Sequence, residues 1–253
     1  MRRRDLLIGL ALIAGAPALA KPGKAPSPDV GVALVPMRMG LDALRIARSW
    51  CQAGLDLEAE AAMLDLGKAA KRFEADSARF RSLAPKLGQQ DAVWSFEQYW
   101  RVFRAAFVMK PEASGARRVL NVSDDLFNTG RKSSAALAQR FGAGPAVRAA
   151  EGSALVERMQ RLAFSRQWGV GAADVPLQID AERKAFSQLL TELAAQLSTS
   201  PTLSSDVQLA QQQWGFLDRA LANSGEPNAA RNIMRLGRRM NEAMETLLGH
   251  LSS

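Results

Sequence analysis

The chain has 253 residues, a formal net charge of +8 and 47% hydrophobic residues, so it is long enough to bury a core in one large or two small domains. Cys51 and His250 are its only cysteine and its only histidine. These counts exclude an internal disulfide, a zinc site, covalent haem attachment and a Ser-His-Asp or Cys-His catalytic centre. No set of acid, base and nucleophile is visible, so we expect no cofactor, no metal and no enzymatic activity.

The N-terminus has the pattern of an export signal. Residues 2–4 are three arginines, residues 6–16 are apolar, and residues 18–20 read Ala-Leu-Ala, which is a small-x-small cleavage site. The arginine pair at positions 3 and 4 also resembles a twin-arginine signal. An uncleaved membrane anchor is the alternative, but a spanning helix needs about 20 apolar residues. We therefore expect cleavage after residue 20, export to the periplasm by the twin-arginine pathway, and no stable membrane insertion afterwards.

The basic charge persists without this segment. Residues 1–20 carry three Arg and one Asp, so the formal charge falls from +8 to +6 when they are removed. Nucleic acid, anionic lipid and small anions all favour a basic protein. Export and the lack of an RNA-binding pattern of glycine and aromatic residues argue against nucleic acid. Charged helix faces in contact with water are the plain alternative to an anionic partner.

The remaining sequence predicts helices with almost no strand. Residues 21–33 begin with a proline-rich stretch and are expected to be a flexible leader. The first helix follows, with Pro36 in its first turn and Gly54 at its end. Apolar residues lie on one face of this helix with steps of three, four or seven. They are Leu34, Met37, Leu41, Leu44, Cys51 and Leu55.

Three further helices complete the first part of the chain. The second has an apolar stripe from Leu66 to Leu87, and the third, at about residues 91–109, carries an aromatic stripe. Aromatic residues at helical spacing are typical of a core, and no cofactor-attachment motif accompanies them. The fourth helix is expected at about residues 116–141.

A second copy of this scheme begins more than a hundred residues later. Arg158 follows Arg45 by 113 positions, and the same offset pairs Arg161 with Arg48. An offset of 114 continues the correspondence to the C-terminus. The first two helices of this copy are expected at residues 147–168 and 176–197. The third is expected to begin at a capping box at residues 205–208, and the fourth to span residues 229–251. The sequence therefore predicts an all-α tandem repeat of up-down four-helix bundles, about eight helices in total, with repeats at residues 34–144 and 145–253.

Each repeat opens with an Arg-x-x-Arg helix: residues 45–55 read RIARSWCQAGL and residues 158–161 read RMQR. Two repeats of this kind resemble the N-terminal sensory domain of type IV pili methyl-accepting chemotaxis transducers, the PilJ-type domain. That domain is related to the periplasmic sensor of nitrate/nitrite histidine kinases. The resemblance covers nearly all of the chain after the export signal.

The resemblance implies a ligand site. In relatives, two subunits pack their motif helices across a symmetric interface, whereas here one chain supplies both copies and could form the pair internally. The candidate ligand-binding residues would then converge on a shared cleft suited to a carboxylate or oxyanion, or else pair with Glu and Asp inside the bundle. Gly40 and Ser153 stand where the anion-contacting arginine of nitrate-sensing relatives would fall. The four candidates are Arg45, Arg48, Arg158 and Arg161.

Two functions are compatible with these patterns. The first is a soluble periplasmic sensory or binding protein that recognises a small anion and acts with a membrane receptor, kinase or transporter, because the sequence contains no signalling helix, kinase segment or transmembrane exit of its own. The second is an envelope adaptor or structural protein that binds a protein partner and has lost ligand sensing. The anion-contacting arginine of the relatives is absent from both copies, where Gly40 and Ser153 stand instead. This absence favours the second function.

Overall fold

A computed structural model describes residues 28–252, and every regular element in this range is an α-helix. The predicted all-α fold is therefore confirmed. The export signal predicted at residues 1–20 lies outside the described residues. The helices are α1 (Pro28–Gly54), α2 (Ala59–Leu87), α3 (Gln90–Phe107), α4 (Ala113–Phe141), α5 (Gly144–Gln167), α6 (Val175–Leu197), α7 (Pro201–Ala222) and α8 (Ala229–Ser252).

The eight helices form two rings of four. In the first ring α1 packs against α2 and α4, while α3 packs against α2 and α4. In the second ring α5 packs against α6 and α8, while α7 packs against α6 and α8. Consecutive helices are neighbours because the connections are short, as in an up-down bundle. The chain therefore repeats one four-helix arrangement, as the sequence offsets predict.

The first helix of each repeat lies at the centre of the molecule. α1 packs against α5, and α5 also packs against α4, so one continuous core runs through both repeats. Because other helices cover most of α5, several of its polar residues are buried, among them Ser153, Glu157 and Arg161. α1 likewise buries Met39, outside the stripe predicted from sequence. The two motif helices thus meet inside one chain.

Two predicted boundaries are wrong. The leader was expected to extend to residue 33, but α1 begins at Pro28, because proline suits a first turn and Ala33 is buried beyond it. α7 begins at Pro201 rather than at the predicted capping box. Ser200 caps it and accepts a hydrogen bond from the Leu203 amide, so Ser205 lies within the helix.

α1 and α4 approach each other unusually closely. The earlier start of α1 places Pro36 inside the helix, not in its first turn. Opposite it on α4 is Gly130, where an added Cβ atom would lie 2.3 Å from the Pro36 carbonyl oxygen. An added Cβ at Gly40 would lie 3.0 Å from the Phe127 Cα. Glycine at both positions therefore lets the two backbones come into contact.

The aromatic stripe of α3 belongs to the core, as predicted. Phe96, Phe103 and Phe107 are buried, and Trp100 stacks on Phe73 of α2 with ring centroids 3.9 Å apart. Such rings bury a large apolar area per residue.

Within residues 28–252, no helix combines the length and the apolar character needed to cross a membrane.

Candidate functional site

The contact between the two repeats contains a buried ion cluster, here called the Glu157 cluster. It comprises Glu157 of α5, Arg45 and Arg48 of α1, and Asn241 and Glu245 of α8. The Arg45 Nε donates to Glu157 Oε1 at 3.2 Å, and the Arg48 Nε donates to Glu157 Oε2 at 2.9 Å. Asn241 Nδ2 donates to Glu157 Oε1 at 2.9 Å. The Glu157 carboxylate is therefore held by three donors from two other helices.

The cluster keeps Glu157 ionised although only 2% of its side chain is exposed. Burial alone would raise the pKa of Glu157, but the Arg48 and Arg45 guanidinium groups outweigh it and leave this pKa below its ordinary value. A buried charge of this kind is tolerated only when it is paired and hydrogen-bonded. The two arginines of the first motif thus stabilise an anion supplied by the second motif helix.

The outer side of the cluster opens into a pocket of about 300 Å³, bounded by α1, α2, α5 and α8. Here the Arg45 Nη2 donates to Glu245, whose side chain is 55% exposed. The Arg48 Nη1 donates to Gln52 Oε1 at 2.9 Å. The Asn241 Oδ1 atom has no hydrogen-bond partner among the described residues. Arginine, amide and carboxylate groups therefore face one small polar cavity.

The second motif forms a separate group, here called the Asp124 cluster, made of Arg158, Arg161, Ser123, Asp124 and Glu182. The Arg161 Nη2 lies 3.0 Å from both Asp124 carboxylate oxygens, and its Nη1 donates to Ser123 Oγ at 2.6 Å. The Arg158 Nε donates to Asp124 Oδ1 at 3.0 Å, and its Nη1 contacts Glu182. Arg161 is fully buried. Both arginines of the second motif are therefore paired with carboxylates of the protein, although the buried Arg161 Nε has no hydrogen-bond partner among the described residues.

The two clusters follow the internal repeat. Arg45 of the first repeat reaches Glu245 on α8, the fourth helix of the second repeat. Arg158 and Arg161 of the second repeat reach Asp124 on α4, the fourth helix of the first. Each motif arginine pair therefore joins its own first helix to the opposite repeat.

The four predicted site residues do not meet in one cleft. Arg45 and Arg48 line the pocket beside Glu157, whereas Arg161 lines a different cavity beside α4 and Arg158 pairs with Asp124 and Glu182. The prediction of a single shared cleft is wrong because carboxylates from other helices draw the two pairs to different partners. All four arginines instead pair with Glu or Asp side chains of the protein, which was the alternative prediction. A ligand-binding role for Arg45 and Arg48 stays a prediction.

Sequence reasoning missed the carboxylates that hold these arginines. Glu157 directly precedes the second Arg-x-x-Arg motif, where the first repeat has the buried Leu44. An acid at a position that is apolar in the other copy was the available signal. Glu245 gave no such signal, because it lies 200 residues from Arg45 in the chain. Only the packing of α8 against α5 brings it there.

The environments of Gly40 and Ser153 explain why neither position carries an arginine. An added Cβ at Gly40 would already press on the α4 backbone. Ser153 is fully buried on α5, and its hydroxyl has no hydrogen-bond partner among the described residues. An arginine would therefore clash with α4 at Gly40, and at Ser153 it would place a charge on a fully buried face of α5. The anion contact that the resemblance would assign to these positions has no equivalent here.

Cys51 lies on α1 without any exposed surface. Burial raises the pKa of its thiol to about 12, although the Arg161 charge acts in the opposite direction. The thiolate is the reactive form of cysteine. We therefore expect no measurable labelling of the native protein by a thiol reagent at pH 8, and complete labelling in denaturant. Rapid labelling of the folded protein would contradict the packing of α1.

The described residues contain no group of three or more His, Cys, Asp and Glu side chains placed to hold a metal ion. His250 lies on α8 with its Nδ1 2.6 Å from Asp206 Oδ2.

Comparison with known proteins identifies no matching family model, no matching curated protein and no matching solved structure. The fold and the two clusters define a helical-bundle protein with a polar pocket where its repeats meet.

Proposed function

We propose that the protein is an exported, non-enzymatic binding protein that recognises a small anion in the pocket beside the Glu157 cluster. The observation that carries this proposal is the unequal burial of the two carboxylates that accept hydrogen bonds from Arg45. Glu157 is enclosed by the bundle, whereas Glu245 lies at the mouth of the pocket. An incoming carboxylate or oxyanion replaces Glu245 on the Arg45 fork and leaves Glu157 in place.

Replacing Glu245 by a ligand costs the protein little free energy. Exposed ion pairs contribute about 0–1 kcal/mol, so releasing Glu245 into water costs little. The Arg48 guanidinium group lines the same pocket and offers a further cationic donor to the ligand. Five basic and five acidic side chains line the pocket, so its charge is balanced. This balance favours a ligand with one anionic group over a polyanion.

The test is calorimetric titration of the protein with nitrate, nitrite, sulfate and small carboxylates. Glu245→Gln removes the competing carboxylate and is expected to tighten binding by up to about fivefold, the equivalent of about 1 kcal/mol. Arg45→Ala is expected to abolish binding. Glu226→Gln is the matched control, because it removes the same charge from an exposed turn away from the pocket.

A second candidate is the envelope adaptor or structural protein. It is favoured by the pairing of Arg158 and Arg161 with carboxylates of the Asp124 cluster, which balances the charge of the second motif within the protein. In this case the ion clusters lock the two repeats together, and the protein acts by binding another protein. Failure of every anion to bind both the wild type and Glu245→Gln would overturn the first proposal and favour this one. A membrane receptor, kinase or transporter remains the proposed partner under the first.

A further inference from the structure

A third cavity lies at the turn between α3 and α4. No residue of either ion cluster lines it, but it shares Arg117 and Asn121 with the cavity beside the Asp124 cluster. This α3–α4 cleft has a volume of about 750 Å³, within the usual range of pockets for small organic ligands. The fully buried Trp50 of α1 lies beneath it, and its walls come from the end of α3 and the start of α4. The Trp50 Nε1 donates to the Met109 carbonyl oxygen at 3.3 Å, which anchors the turn above Trp50.

The walls of the cleft are apolar and open to solvent. Val102 is 47% exposed and Met109 is 64% exposed, although both line the cavity. Ala105 and Val122 extend the apolar surface along α3 and α4. Exposed apolar surface gathered in a concave site is typical of a ligand-binding groove, because its burial by a ligand is favourable. The body of an occupant is therefore apolar.

The rim of the cleft is basic. Lys110, Arg117 and Arg118 line it, and none of them forms an ion pair with another residue in the described part of the chain. Glu112 is the one carboxylate in the lining. It precedes α4 but makes no side-chain capping bond, so the first-turn amides of this 29-residue helix add positive potential at the same edge. The head group of an occupant is therefore anionic.

We propose that the α3–α4 cleft binds a small amphipathic anion, a free monocarboxylate with an apolar chain. The apolar chain covers Val102, Ala105 and Met109, and the carboxylate meets the guanidinium groups of Arg117 and Arg118. This chemistry differs from that of the Glu157 pocket, which is lined mostly by charged and amide side chains. The inference does not depend on the function proposed above.

Titration calorimetry with decanoate, below its micelle concentration, tests the proposal on the full-length chain. Decanoate is expected to bind with one-to-one stoichiometry. Acetate, which has the head without the chain, and decyltrimethylammonium, which has the chain with the opposite charge, are expected to bind at least about tenfold more weakly. Equal binding of decanoate and decyltrimethylammonium, or no binding of decanoate, would overturn the proposal.

Two pairs of adjacent basic residues on α4 provide a matched comparison. The double variant Arg117→Gln with Arg118→Gln removes two charges at the cleft and is expected to weaken decanoate binding about tenfold. The double variant Arg131→Gln with Lys132→Gln removes the same charge from the same helix outside the cleft, where both residues are exposed. It is expected to leave the affinity unchanged. An equal loss of affinity in both double variants would mean that binding depends only on the net charge of the protein, and it would overturn the proposed site.

A blocking variant locates the apolar part of the site. Ala105→Trp fills the cleft from an exposed position on α3 and is expected to abolish binding. Val102→Glu, which places a carboxylate in the wall, serves the same purpose if the larger side chain disturbs folding. Helical content measured by circular dichroism establishes that each variant is folded. Unchanged binding in a folded blocking variant would overturn the proposal, as would sedimentation data showing that a second copy of the chain covers the cleft.

Discussion

Gly130→Ala is expected to destabilise the protein by about 3 kcal/mol, at the upper end of the usual cost of overpacking a core. The added methyl group would lie 2.3 Å from the Pro36 carbonyl oxygen, which belongs to the backbone of α1 and has no rotamer by which to withdraw. The two helices would have to separate at the centre of the first ring. The free energy of unfolding, measured by urea denaturation, checks this expectation.

Gly67→Ala is the matched control. Gly67 lies inside α2, and an added Cβ would meet nothing within 4 Å. Alanine restricts the unfolded chain and favours the helix, so this variant is expected to gain about 0.5–1 kcal/mol. Opposite signs for the two variants would establish close backbone contact as the cause. A neutral Gly130→Ala would contradict the described crossing of α1 and α4.

Glu157→Gln is expected to cost about 3 kcal/mol at neutral pH, since breaking this buried ion pair leaves Arg48 without a carboxylate partner among the described residues. The substitution preserves the shape of the side chain but leaves Arg45 and Arg48 without their shared carboxylate. Glu97→Gln removes a carboxylate from the exposed pair with Arg81 and is expected to cost less than about 1 kcal/mol. A similar cost for both variants would contradict a special role for the Glu157 cluster.

The cost of Glu157→Gln is also expected to depend on pH. Burial raises the pKa of Glu157, but Arg48 and Arg45 outweigh it and leave the folded-state pKa below the ordinary value of 4.5. The stabilisation by Glu157 is therefore fully present above about pH 4.5 and is lost as the pH falls through the folded-state pKa. Burial raises the pKa of Asp42 and of Glu182, but both carboxyl groups titrate in the wild type and in the variant. The difference between the two unfolding free energies against pH isolates Glu157, and a difference that grows in acid would contradict this assignment.

The repeating secondary structure of this protein could be predicted from local pattern. Apolar residues at steps of three and four mark the buried face of each helix, and Leu66 and Phe73 of α2 lie in the core as that spacing predicts. The offsets of 113 and 114 residues anticipate the two matching four-helix rings. These features depend on residues close together in the chain, so the sequence records them directly.

The pairing of helices and the partners of the motif arginines were decided by the tertiary structure. Periodicity marks which face of a helix is buried but does not specify which helix covers it, so the burial of most of α5 and the close crossing at Gly130 were not predicted. The two carboxylates that accept hydrogen bonds from Arg45 come from positions 112 and 200 residues away in the chain, whereas its ion pair with Asp42 is local. Because an arginine binds whichever carboxylate the packing brings within reach, the motif identified the cations while the fold selected their anions.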